Sequence, residues 1–412
     1  MAIRYEELAA AVDGQAVGVR ARIELEPLGG PGDKVFPPTY GVPDSAETKY
    51  ALEKRIDPTT TQPVHSVVLD SVASQANRFE LALLEAVQRG EVSIPVTSVD
   101  FSPFPDLGLD RLSDLEAPHR IFDALLRDSY DGEVLFRLSP IGQTITEATS
   151  RNAAAVFCHA PATLVFGGWD STGPKGGRGA KYERALTSEI VAKSVLVGSK
   201  TSSRIDPAAI EKAAVVYKAA DGDELAWTLD PESAAHEKGK PVLAGSRDSK
   251  GSPSGVNHGN IAPSIDVRSG GVTAQAIVAT TVLSFIQLRR LRFSTGGAAH
   301  PSADGAARTA LAALGLAAAV LGFDGGFDLR SRCVLVATGP VEFELIDRHN
   351  GARRFSLSPE EASALLREAA QVAADAGLPW RTEELLLRPS DRLVDLIRRS
   401  RAHAAAAGDS GE

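Results

Sequence analysis

The chain has 412 residues, 43% hydrophobic and 24% charged, the composition of an ordinary folded protein with ample apolar surface for a core. Its net charge of −9 argues against a uniformly basic nucleic-acid binder, and two cysteines without metal-ligand spacing, Cys158 and Cys333, exclude a disulfide framework and a zinc knuckle. No run of about 18 apolar residues is visible and the first residues lack a signal peptide's apolar stretch, which predicts a cytoplasmic protein with no membrane partner.

In chain order, residues 4–12 read as a short amphipathic helix and 27–43 as Gly/Pro-rich loop. Val64–Leu69 reads as a buried strand, followed by the capping pair Asp70-Ser71 and a helix over 72–88 with Leu81, Leu84 and Val87 on one face. A Pro-broken loop spans 101–110, and 118–127 reads as a second helix. The apolar run Thr163–Phe166 reads as a strand feeding a glycine-rich, basic loop from Gly167 to Lys181, and alternation resumes over 185–197. Residues 215–217 and 225–227 flank an Asp221-Gly222-Asp223 turn, a hairpin pattern, and 230–263 is a long polar segment expected to order only on binding. Further on come a strand over 272–279 and a helix carrying Leu283, Ile286, Leu288 and Leu291. An alanine-rich helix over 306–321, strands at 334–336 and 341–345, and helices over 359–376 and 390–407 complete the chain.

Charge is unevenly spread. From Val165 to Asp206 there are seven basic and four acidic residues, whereas the first 64 residues hold seven basic and ten acidic. A phosphate-binding groove needs such a local excess, although a solvated mixed surface gives the same count.

Enzyme motifs are absent. Gly168–Gly173 has the span of a P-loop, but Pro174 stands where the lysine must be, and Gly251–Gly255 has elbow spacing with Pro253 in the nucleophile's place. No two of the eight histidines stand at helical ligand spacing, and no catalytic centre, metal or cofactor is expected. His258, inside Asn257-His258-Gly259-Asn260, is a candidate for RNA contact, for acid/base cleavage, or for simple loop capping.

Three segments together carry a family likeness: Val68–Glu80 (VLDSVASQANRFE), Leu164–Gly173 (LVFGGWDSTG) with its continuation through Arg184–Ile190 (RALTSEI), and His258–Pro263 (HGNIAP) through Gly270–Thr273 (GGVT) to Leu288–Phe293 (LRRLRF). The chain resembles the RAMP backbone subunit of the type I-G (formerly I-U) CRISPR Cascade over roughly residues 65–335. The resemblance implies an α+β fold, a modified RNA-recognition-motif (ferredoxin-like) palm with a large thumb and helical insertions. Residues 1–64 would form an N-terminal helical and loop segment, 65–345 the core with insertions at 130–165 and 200–265, and 346–412 the C-terminal helices. It also implies a non-catalytic subunit that binds CRISPR guide RNA, polymerises head to tail with other copies of itself, meets other Cascade subunits, and reaches target DNA through the guide. The alternative is a RAMP-type endoribonuclease.

In the wider Cascade backbone superfamily a Phe-Gly-Gly turn precedes a basic segment with a serine and a later lysine; here Phe166-Gly167-Gly168 precedes Arg184, Ser188 and Lys193, with Trp169–Glu183 inserted between. The remaining RNA-binding candidates are Lys175, Arg178 and Lys181 in the basic loop, Asn77 and Arg78 near a helix start, Arg204, and Arg289, Arg290 and Arg292, a phosphate stripe or an exposed helix end. Phe166 and Trp169 are candidates for base stacking or for core packing.

Overall fold

The computed structural model describes residues 2–58, 60–173, 179–210, 213–220, 226–245, 249–295, 298–299 and 301–408. Contacts divide the chain into two compact units, residues 1–196 with 271–393, and residues 197–270 with 394–412.

In the first unit, α1 (Tyr5–Asp13) buries Leu8, Ala11 and Val12. It is followed by β1 (Ala16–Pro27), which alternates strictly, with Val19, Ala21, Ile23 and Leu25 buried and Arg20, Arg22 and Glu24 exposed. This strand corrects the expectation of helix and loop over 1–64, because it lies in the middle of the main sheet. A hairpin of β2 (Leu52–Ile56) and β3 (Pro63–Asp70) leads to α2 (Val72–Gln88), whose N-cap Ser71 accepts from the Ser74 N–H as the sequence predicts. The buried face of α2 is Phe79, Leu83 and Ala86, not Leu81, which is exposed.

The remaining strands of the sheet are β4 (Leu186–Val197), β5 (Val272–Ser284), β6 (Phe327–Arg330), β7 (Cys333–Ala337), β8 (Phe343–Asp347) and β9 (Gly351–Phe355). Strand order is β2-β3-β4-β5-β1-β7-β6, with β8 also pairing β1 and β9 pairing β8. Between β5 and β6 runs α3 (Pro301–Asp324), and α4 (Pro359–Asp375) follows β9. The order β4-β5-β1-β7, with α2 between β1 and β4 in sequence and α3 between β5 and β7, is the split βαβ arrangement of a ferredoxin-like palm. Strand β5 continues to Ser284 and leaves only a four-residue helix, Phe285–Leu288, where a longer one was expected.

Helix α3 is the core of this unit, packed by α1, α2 and α4. It is long and apolar enough to cross a membrane by length and composition, which the sequence reading overlooked, yet 83% of its most apolar window is buried inside the protein. Its small residues let neighbours approach closely: a Cβ on Gly315 would meet Leu283 of β5, and one on Gly322 would meet the Phe79 ring. Since Leu283 pairs with Val19, the buried residues of β1 face the helices, and Arg20 and Arg22 lie on the opposite, open face.

A smaller five-stranded sheet orders Arg111–Ser113, Thr97–Asp100, Leu385–Pro389, Ser129–Asp131 and Val134–Leu135. The run expected as a strand at 163–166 is instead the end of a short helix, Ala162–Phe166. Four apolar residues do not distinguish the two states, and here Pro161 at the N-cap and Gly167 with φ +89 bracket one helical turn.

The second unit holds the two-stranded ribbons Lys200–Arg204 with Ile261–Asp266, Tyr217–Lys218 with Trp227–Thr228, and His236–Glu237 with Lys240–Pro241. The predicted hairpin is thus paired on both flanks, and its Asp221–Asp223 turn lies outside the described residues. The polar segment over 230–263 contains the third ribbon, a 3-10 turn at Pro253–Val256 and the start of a strand at Ile261, rather than being without structure throughout. Helix Asp391–Gly408 closes the chain.

Candidate nucleic-acid interface

The basic loop rises from the Phe166-Gly167-Gly168 turn, and two arginines hold that turn. Arg184 Nε donates to the Phe166 carbonyl at 3.1 Å, and Arg120 Nη1 donates to the Gly167 carbonyl at 2.9 Å. Arg120 is itself fixed by two bonds to the Glu80 carboxylate, with both side chains almost fully buried. Burial pushes the Glu80 carboxyl up to about 7 against the opposing pull of Arg120, and the bonded pair is an internal anchor for the turn. Gly167 is required here, since a Cβ would meet the Arg184 side chain at 2.8 Å and its φ is left-handed.

From the turn, Gly168–Trp169 pairs with Lys181–Tyr182 as a short ribbon. The Tyr182 ring stacks on Phe122 at 6.2 Å. Above the ribbon Asp170, 1% exposed, takes a 2.7 Å bond from Arg137 Nη2. Arg137 also donates to the Thr172 carbonyl, and Arg127 to the Thr172 hydroxyl. A rigid base therefore carries the loop tip. Lys175 and Arg178 lie outside the described residues.

Lys181 and Arg290 line one cavity beside this base, while Arg184 sits on the turn itself. Lys181 is exposed and has no ion partner among the described residues. Among the described residues only the Nε of Arg184 has a partner, and partial burial, with the nearby Arg120 charge, pulls its pKa below the ordinary range. Arg290 reaches Glu183 at 2.6 Å with both side chains mostly in solvent. Trp169 is 48% exposed on the ribbon, whereas Phe166 is fully buried and belongs to the core.

Lys193 lies on the open face of β4, opposite Ser66, with no ion partner among the described residues. Nine residues of mostly extended chain separate it from Arg184, which precedes β4, a span of roughly 30 Å. Arg22 is exposed on the same open face and unpaired among the described residues. The sequence reading missed it, although the alternation of Val19, Ala21 and Ile23 around Arg20 and Arg22 was a readable signal.

Several candidates have internal work. Ser188 is 2% exposed and points toward the helices, bonded to Gln75 Oε1 at 3.0 Å and to the Thr281 hydroxyl at 2.8 Å, so it cannot reach a strand of RNA without opening the sheet. Arg78 clasps Asp70 and the carbonyls of Asp328 and Leu329, tying α2 to β3 and β6. Arg289 donates to the carbonyls of Ala11, Val12 and Ala16, closing the C-terminal end of α1. Arg292 bonds the carbonyls of Arg289 and Leu291 and faces Asp304, so the expected three-arginine stripe reduces to Arg290. Arg204, in the second unit, bonds the carbonyls of His258 and Gly259. Asn77 is exposed in the second turn of α2, away from the free N–H groups of the helix start. His258 packs edge-on against Trp227.

The loop base, the turn that carries it and the strand behind it all lie in one matched stretch. Residues 19–197 match the family model of CRISPR-associated protein GSU0053. The GSU0053-like stretch opens within β1 and closes at the end of β4, so it takes in α2, the Glu80–Arg120 pair, the Phe166-Gly167-Gly168 turn and Lys193. It supports a CRISPR-associated role for the chain. No curated protein matches it.

Proposed function

We propose that the chain is the non-catalytic guide-RNA-binding backbone subunit of a type I-G interference complex, acting in the cytoplasm. Copies stack head to tail along the CRISPR RNA, alongside the other Cascade subunits, and leave the guide's bases open to pair with target DNA. The observation that carries this reading is the loop base, where a buried Glu80–Arg120 anchor holds a turn beside the cations of Lys181 and Arg184, which have no ion partner among the described residues, inside the stretch that resembles a CRISPR-associated family. Lys193 and Arg22 extend the open charge across the sheet face. Such a set grips phosphates by charge and has no code for base sequence.

The test is RNA affinity across a salt series for the wild type and for Lys181→Ala/Arg184→Ala, with thermal melting as the folding control. Each phosphate contact removed should lower the salt slope for a single strand by about 0.7, equally for unrelated sequences. Parallel plots of equal affinity would remove these residues from the site. Cleavage of labelled repeat RNA by the pure protein would overturn the non-catalytic part and favour an endoribonuclease.

A further inference from the structure

Tyr182 and Gln287 line a cavity of about 300 Å³ beside the loop base, together with the exposed Lys181, Glu183 and Arg290. The Tyr182 hydroxyl and Gln287 Oε1 are both buried without a hydrogen-bond partner among the described residues. Tyr182 as a whole is 4% exposed, and burial pushes its phenol up, so the hydroxyl keeps its proton at any working pH. Buried polar groups are nearly always bonded, and two exceptions on one cavity mark a place for a ligand.

The two atoms set the chemistry of what completes them. Gln287 Oε1 can only accept, whereas the Tyr182 hydroxyl can donate. Their common complement is a group that donates to one and accepts from the other, which a hydroxyl does and a carbonyl or phosphate oxygen does not. The exposed side chains add Lys181, with no ion partner among the described residues, and Arg290, partly offset by Glu183. A hydroxyl beside an anion is the backbone of an RNA strand: away from the strand ends its one free hydroxyl is at C2′, next to the 3′-phosphate, and DNA lacks it. We propose that the cavity takes the sugar and phosphate of one guide nucleotide, the 2′-hydroxyl accepting from Tyr182 and donating to Gln287 Oε1 with the phosphate at Lys181 and Arg290, so that each subunit selects RNA over DNA. No base enters the cavity, and the guide stays free to pair. The proposal rests on the RNA-binding reading above and supplies what a grip by charge lacks. Guide and target strands carry the same phosphates, and the hydroxyl alone tells them apart at such a site.

The test compares one sequence made as RNA, as DNA and as 2′-fluoro RNA, which keeps the RNA sugar pucker but cannot donate, binding to RNA-free protein across a salt series. RNA should bind about tenfold tighter than either of the others. Tyr182→Phe and Gln287→Leu should each bring the RNA affinity down toward that of DNA, with salt plots parallel to the wild type because no phosphate contact is lost. Lys181→Ala should instead weaken RNA and DNA together and lower the slope. Since Tyr182→Phe removes a hydroxyl that has no partner in the free protein, its melting temperature should not fall, as it would if the hydroxyl had a structural role. Equal affinity for RNA and 2′-fluoro RNA, or an RNA preference that both variants keep, would overturn the site and leave its two polar atoms to bound water. Salt-dependent binding of RNA and DNA alike would then still support the guide-binding reading. Failure of every strand to bind at low salt would overturn that reading itself, and the selection site with it.

Discussion

Among single residues, Arg120 has the largest structural consequence. Its left-handed backbone, φ +53, delivers the guanidinium between Glu80 and the Gly167 carbonyl. Arg120→Ala leaves a buried carboxylate without its partner, and denaturant titration should read a loss of about 3–5 kcal/mol. Replacing both partners by apolar side chains, Glu80→Leu with Arg120→Met, should recover most of that loss, since the pair's desolvation is removed along with its attraction. Asp114 makes a second prediction. Burial pushes its carboxyl from the ordinary 3.8 up to about 7, opposed by the Thr97 N–H that donates to it. Between those two values the folded chain holds a proton that the unfolded chain has released. The contribution of Asp114 to stability is therefore fully present below about pH 4 and is lost as pH rises through about 7. Asp114→Asn should flatten the melting temperature across that window; a wild-type curve that rises with pH there would rule out this role.

At the scale of elements, α3 fits its neighbours through what it lacks. A Cβ at Gly322 would sit 2.4 Å from the Phe79 ring, which is held edge-on to Phe323 at 5.3 Å. Gly322→Val should destabilise by about 1–3 kcal/mol through overpacking, although helix propensity alone would favour valine over glycine. Urea unfolding reads the sign directly. Elements with their own punctuation were legible in the sequence: α2 behind Ser71, α4 from Pro359, and the alanine-rich α3. The helix at Ala162–Phe166 was not, because one apolar turn has no period to read. The palm's strand order came from family resemblance, as hydrophobic pattern does not state which strands neighbour. The site was legible as a basic stretch and no further. Arg289 and Arg78 look like surface cations until their carbonyl partners, more than 200 residues away in the chain, are brought to them by the fold.

For the whole molecule, the net charge of −9 means that any RNA grip works against an overall repulsion and depends on where the open cations stand. Under the proposed function a head-to-tail interface does not close into a ring, so RNA length sets the particle size. Light scattering of the protein with guide-length and half-length RNAs should give masses in proportion, and a single monomeric species with both at low salt would refute it. The excursion from Val197 to Gly270 begins and ends at one point, since a Cβ on Gly270 would strike the Gly198 carbonyl at 2.1 Å. A detour that returns to its own starting place can be lengthened, trimmed or exchanged at small entropic cost, because closure entropy grows only with the logarithm of length. Descent with modification is therefore free to change the length of this segment from one lineage to another while the register of β4 and β5 stays as it is.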